Sequence, residues 1–132
     1  MDRKQIDKFL TKADEALKKD SIKIVENNKI LSTFVGYVAM FGTAVIQNGL
    51  LPALTFFNAE SQSGVERYKI IQALSWMLTG DEDEKMLLTT CIELQHDRDK
   101  FVKKTKEIVS ASIALKMMMR TYKIVKNENT EQ

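Results

Sequence analysis

The residues best equipped for chemistry are few. His96 is the only histidine, and it stands in the run His96-Asp97-Arg98-Asp99. A His-Asp pair suits a metal phosphohydrolase, but such sites gather several histidines around the metal. A kinase catalytic loop would need a glycine-rich loop and a magnesium-binding aspartate, and the chain offers neither. His96 therefore reads as a polar side chain near a helix junction. Cys91 is the only cysteine and falls in the apolar stretch 87–94. A catalytic thiol needs a neighbouring base or a helix N-terminus, so Cys91 reads as buried and inert. One cysteine makes neither an intrachain disulfide nor a zinc site of the cysteine type, which fits a reducing, cytoplasmic setting. The acidic run Asp81-Glu82-Asp83-Glu84 lacks the glycine and ligand spacing of a calcium loop. Acidic residues at a helix start complement the macrodipole, and capping is the expected role. These readings predict no enzyme, no cofactor and no metal site.

The positive signal is charge. A formal net charge of +2 conceals a strong asymmetry. Residues 1–97 carry 11 basic and 14 acidic side chains, whereas residues 98–126 carry 9 basic and 2 acidic. A local excess of +7 on so short a segment sets the field its partners meet. Lys116, Arg120 and Lys123 are spaced by four and three, which predicts one helix face. Lys103 and Lys106 stand three apart two turns earlier, with Lys100, Lys104 and Lys126 around the rim. Cations one helical turn apart can follow a phosphate backbone, although a solvated helix face has the same pattern. Lys4, Lys8 and Lys12 form a second row of this kind. Trp76 and the pair Phe56-Phe57 could stack bases, but aromatic residues at helical spacing more often fill a core.

These groups must be carried by helices. The chain of 132 residues has one proline and five glycines, too few for the many turns of an all-β fold. The length suits a single domain. Ile6, Phe9, Leu10, Ala13, Ala16 and Leu17 predict an amphipathic helix over 2–19, with room for a further turn at 22–25. A second helix is expected over 30–48 with Phe34, Val35, Val38, Phe41, Val45 and Ile46 buried, and Gly36, Ala39 and Thr43 share a side and permit close approach of another helix. Asn48-Gly49 ends it, and Pro52 sits early in a third helix over 51–58. A polar loop follows at 60–64. Ser63 with Glu66 reads as a capping box for a helix reaching about residue 78, with Val65, Tyr68, Ile71, Leu74 and Met77 or Leu78 inward. Thr79-Gly80 closes that helix, and Asp81 with Glu84 opens the next, to about residue 95. Phe101, Thr105, Ile108, Ser112, Leu115, Met119 and Tyr122 step by 4, 3, 4, 3, 4, 3, a heptad-like seam that equally permits a homo-oligomer. The expectation is all-α: a single bundle of five or six helices over 1–126 and a disordered polar tail at 127–132.

No charged residue lies between Lys29 and Glu60. Thirty such residues are long enough to span a bilayer. Asn48, Gly49 and Pro52 interrupt the stretch, however, and a helical hairpin buried in a bundle explains it without a membrane.

The order of these motifs resembles the small α-helical subunit of the type III-B (Cmr) CRISPR effector complex. The resemblance rests on an apolar helix, then Asn48-Gly49-Leu50, then Ala53-Leu54-Thr55-Phe56-Phe57. It continues through 101–107 (FVKKTKE), Leu115-Lys116 and Arg120, and it covers about residues 3–125. Two features depart from the family pattern: Pro52 follows the Asn-Gly-Leu turn, and the last helix lacks a tryptophan. The resemblance implies a non-catalytic subunit that stacks into a short filament beside guide RNA and target RNA, among the other subunits of the Cmr effector complex. It implies RNA-backbone contacts, assigned first to Lys116, Arg120 and Lys123, then to Lys103, Lys104 and Lys106. The alternatives are a purely structural assembly subunit and the corresponding small subunit of a type III-A complex.

Overall fold

The computed structural model describes residues 3–58 and 66–126. Among these described residues, six helices run in the order α1 (Arg3–Lys18), α2 (Ser32–Asn48), α3 (Leu50–Asn58), α4 (Tyr68–Thr79), α5 (Glu84–Leu94) and α6 (Arg98–Met119). The helical-bundle expectation holds, with one addition. Three short strands, β1 (Val25–Glu26), β2 (Lys29–Leu31) and β3 (Lys123–Val125), form a small sheet in the order β1-β2-β3. The 60–64 loop, the Ser63 cap, Val65 and the 127–132 tail lie outside the described residues.

The apolar stripe of α1 is buried as its periodicity requires: Ile6, Phe9, Ala13, Ala16 and Leu17 face inward. Its principal partner is α6, which also touches α2, α4 and α5. The α6 seam is consumed by this packing. Ile108, Ser112, Leu115 and Met119 are buried inside the chain, and Phe101, Thr105 and Tyr122 are half-buried. The homo-oligomer expected as one use of the seam therefore has no free apolar stripe there.

Glycine sets two helix ends. Gly49, at φ 92°, donates its N–H to the Val45 carbonyl at 2.9 Å and turns the chain from α2 into α3. Pro52 falls in the first turn of α3, where no intrahelical acceptor awaits its missing N–H. Gly80, at φ 82°, closes α4 through its N–H to the Trp76 carbonyl at 2.8 Å.

Three expected boundaries are corrected. Residue 30 does not begin a helix. Ile30 lies in β2, and α2 starts at Ser32. The segment 22–25 makes no further helical turn. Ile22 and Lys23 donate their N–H groups to the Lys19 carbonyl at 3.1 and 3.0 Å, and Lys23, exposed at φ 61°, reverses the chain so that Ile22 and Ile24 on either side are buried. Asn27 and Asn28 both take positive φ, the geometry of a two-residue hairpin turn that registers Val25 opposite Ile30. Finally, α5 is capped by Asp83, whose carboxylate accepts the Lys85 N–H at 2.9 Å. Asp81 stands one step upstream and accepts the Asp83 N–H at 2.9 Å.

Among the described residues, no helix is long and apolar enough to cross a membrane. The uncharged hairpin contributes Phe34, Val38, Phe41, Leu54 and Phe57 to the core instead. Phe41 and Phe57 meet edge to face at 5.3 Å between ring centres.

Candidate nucleic-acid interface

The carboxylates of the acidic run are all engaged. Asp81 and Asp83 cap backbone N–H groups. Glu82 accepts the Ser21 hydroxyl at 2.7 Å and faces Lys19 at 3.9 Å, and Glu84 accepts from Gln72 at 3.3 Å. Among the described residues, no group of three or more His, Cys, Asp or Glu is placed to hold a metal ion. Cys91 is buried, and that burial pushes its thiol up to about 11, which keeps it protonated at neutral pH. His96 is exposed at the junction of α5 and α6.

The basic residues divide into separate groups. Asp97 caps α6, accepting the Lys100 N–H at 3.2 Å, so the positive half of that helix starts from a fixed point. Lys103 and Lys106 are exposed near this end. Lys104 is turned aside: its ammonium is 2.9 Å from Glu107, and both side chains are partly buried. At the other end, Lys116 is half-buried in the last turn and Arg120 is the exposed C-cap.

Lys123 is not on the helix. α6 stops at Met119, where Thr121 and Tyr122 donate their N–H groups to the Met118 and Met119 carbonyls at 3.0 and 3.2 Å. These tight i to i+3 bonds turn the chain into β3, and Lys123 stands exposed on that strand. The expected single helix face of Lys116, Arg120 and Lys123 is thus a helix end and a strand placed together. Nor do the two α6 groups form one row. At 3.6 residues per turn, Lys116 lies about 140° around the helix from Lys103 and about 20 Å along it.

The second row is a different kind of surface. Lys4, Lys8 and Lys12 are exposed along α1. Lys12 extends to the ring of Trp76, its ammonium 5.5 Å from the centre, and Lys19 reaches the same ring at 5.1 Å. Trp76 is half-buried between the fully buried Ser75 and the buried Met77. Of the other aromatic candidates, Phe57 is core. Phe56 is 52% exposed, with the Arg67 guanidinium 4.2 Å from its ring centre. In the sequence, Trp76 and the lysine row of α1 stand more than sixty residues apart. Their meeting across α1 and α4 needed the fold.

One further exposed surface carries no charge. Gly36, Met40, Thr43, Ile46 and Gln47 face outward along α2, and Ile46, expected from its spacing to be buried, is 80% exposed because it follows the buried Val45 on the outer side of the helix. A side chain added at Gly36 would meet nothing within 4 Å, so the helix that the small residues were expected to admit is not supplied by the described residues of this chain.

Known proteins match this arrangement. The family model described as CRISPR-associated protein (Cas_Cmr5) matches residues 6–122. The fold is similar to that of a CRISPR-associated Cmr5 family protein from Thermus thermophilus, seen by X-ray crystallography. That likeness has a TM-score of 0.64 at 19% sequence identity, over 89% of this chain and 92% of that one. Among proteins of curated function, no sequence matches. The family match spans every described helix from most of α1 to the end of α6, and it decides between the type III-B and type III-A readings. This chain belongs to the Cmr5 family of CRISPR-associated proteins, the small α-helical subunits of the type III-B Cmr complex.

Proposed function

We propose that this chain is a non-catalytic subunit that joins the other Cmr subunits, stacks with copies of itself, and holds target RNA by its phosphate backbone. The segregation of charge carries the reading: an excess of +7 over residues 98–126 against −3 over residues 1–97. Exposed cations neutralise phosphates without reading bases, so specificity is left to pairing between guide and target. Of the six cations assigned to RNA, Lys103, Lys106, Arg120 and Lys123 are exposed and are its working contacts, with Arg98, Lys100 and Lys126 exposed around them. Lys116 and Lys104 are partly buried and contribute less directly.

RNA retention by the Cmr complex assembled with the wild-type chain or with the R120A/K123A variant, measured across a salt series, tests this. Weaker retention of all RNA sequences alike, with a shallower salt dependence, supports the reading. Unchanged retention would move the function to a second reading, a purely structural spacer, which the uncharged exposed face of α2 favours.

A further inference from the structure

We propose that the slot between α1 and α4 beside Trp76 takes a base of single-stranded RNA, stacked on the indole, with Lys8, Lys12 and Lys19 meeting the flanking phosphates. This rests on the RNA-binding reading and assigns it a site that the basic segment of α6 does not contain.

The slot has a volume of about 420 Å³, within the roughly 300–1,000 Å³ usual for small-molecule sites. Phe9, Trp76 and Met77 give it apolar walls, and Lys8, Lys12 and Glu107 stand at its rim. Trp76 is the only tryptophan of the chain. Core packing accounts for its buried side. It does not account for two ammonium groups gathered on one ring from α1 and the turn that follows it.

The ammonium groups are available to a ligand. Neither Lys8 nor Lys12 has an ion-pair partner among the described residues. Lys19 has only a loose one, Glu82 at 3.9 Å. Glu107, the acidic group at the rim, is already held by Lys104 at 2.9 Å. Lys8 and Lys12 are one helical turn apart and Lys19 stands just past the end of α1, a set of cations that can track a phosphate backbone. The long lysine stems let the ammonium groups swing from the ring to phosphates as a base arrives. Base-on-ring stacking then replaces contacts that are weak at exposed sites. An acidic peptide would pair with the lysines but has no flat π-face to set against the indole. In duplex RNA the base faces are stacked on one another and closed to it.

Because Trp76 is alone, its fluorescence reports the slot in the full-length chain. The chain at low salt is titrated with labelled oligoadenylate of about ten nucleotides, reading RNA anisotropy and Trp76 emission together. An abasic sugar-phosphate strand of equal length and oligoglutamate serve as controls. The expected result is saturable quenching by oligoadenylate, little by either control, and about tenfold weaker RNA binding by Trp76→Leu with partial recovery in Trp76→Phe. The double variant K12A/K19A, which leaves the ring in place, should weaken binding to oligoadenylate and to the abasic strand alike. RNA binding without quenching and unaffected by W76L would overturn the slot and leave backbone binding intact. Equal quenching by oligoglutamate would reassign the slot to an acidic protein. No RNA binding by the chain or by the Cmr complex containing it would overturn the RNA reading and the slot together.

Discussion

The Tyr122 hydroxyl donates to the Asp14 carboxylate at 2.6 Å, joining the segment after α6 to the middle of α1. Lys18 completes the group, 2.9 Å from the same carboxyl. The two hydrogen bonds hold Asp14 below the usual carboxylate range, that from Tyr122 first. Burial, then the bond to Asp14, pushes Tyr122 up to about 12.

Tyr122→Phe should destabilise the fold by about 1 kcal/mol, a figure kept low because the carboxylate is partly exposed. Its pH signature is two-sided. The folded pKa of Asp14 is depressed, so its contribution is present above about pH 4 and is lost as pH falls through the folded value. The folded pKa of Tyr122 is raised, so its contribution is complete below pH 10 and is lost as pH rises toward about 12. Urea unfolding of the variant across pH should show both limbs flattened, and a parallel profile for the two proteins would count against the coupling.

Gly49 and Gly80 should differ in their response to alanine. Gly80 sits in the left-handed helical region with nothing within 4 Å of an added side chain, so Gly80→Ala should cost only the backbone penalty of about 1–2 kcal/mol. Gly49 combines φ 92° with ψ 165°, a region essentially reserved for glycine, and Gly49→Ala should cost about 2–3 kcal/mol. Urea midpoints of the two variants give the order directly, and an inverted order would show that the α2–α3 turn relaxes freely.

Cys91 should resist alkylation in the folded chain. Its thiol is buried and remains protonated through the mildly alkaline range. Modification by a maleimide at pH 8 should therefore require opening of the fold and accelerate steeply with urea. Rapid labelling without denaturant would place Cys91 at the surface.

Ile46→Glu separates folding from assembly. The side chain is 80% exposed, so stability should change by no more than about 0.5 kcal/mol. If the uncharged α2 face meets another subunit, the same charge should reduce co-purification with the Cmr complex. Full incorporation of the variant would free that face from any contact.

Much of the fold was legible because helices of ten or more residues repeat their apolar positions several times. The buried set of α1 and the α6 seam follow directly from spacing, as does the Asn48-Gly49 turn. The strands were not legible: two or three residues show no period, and the pairing of β2 with β3 is set by tertiary contact alone. The available signal was the Asn27-Asn28 pair, whose positive φ angles suit a tight hairpin. Lys123 was misplaced for a related reason. No glycine or proline follows Met119, and intrinsic helix preference yields there to the docking of β3. For the candidate site, charge density located the basic segment, but only packing shows that Lys104 is tied to Glu107 and that Lys12 and Lys19 share Trp76.

The parallel pairing of β2 with β3, which sets Lys29 beside Lys123, also has a consequence for biosynthesis. The ribosome releases β2 early and its partner only after α2 to α6 have been made. At about 5–20 residues per second, the hairpin edge waits roughly 5–20 s for its third strand. During that interval α1 likewise lacks α6, its main cover. The nascent chain thus exposes an open strand edge and an apolar helix stripe together, the features that recruit holding chaperones and that invite aggregation when synthesis outruns them.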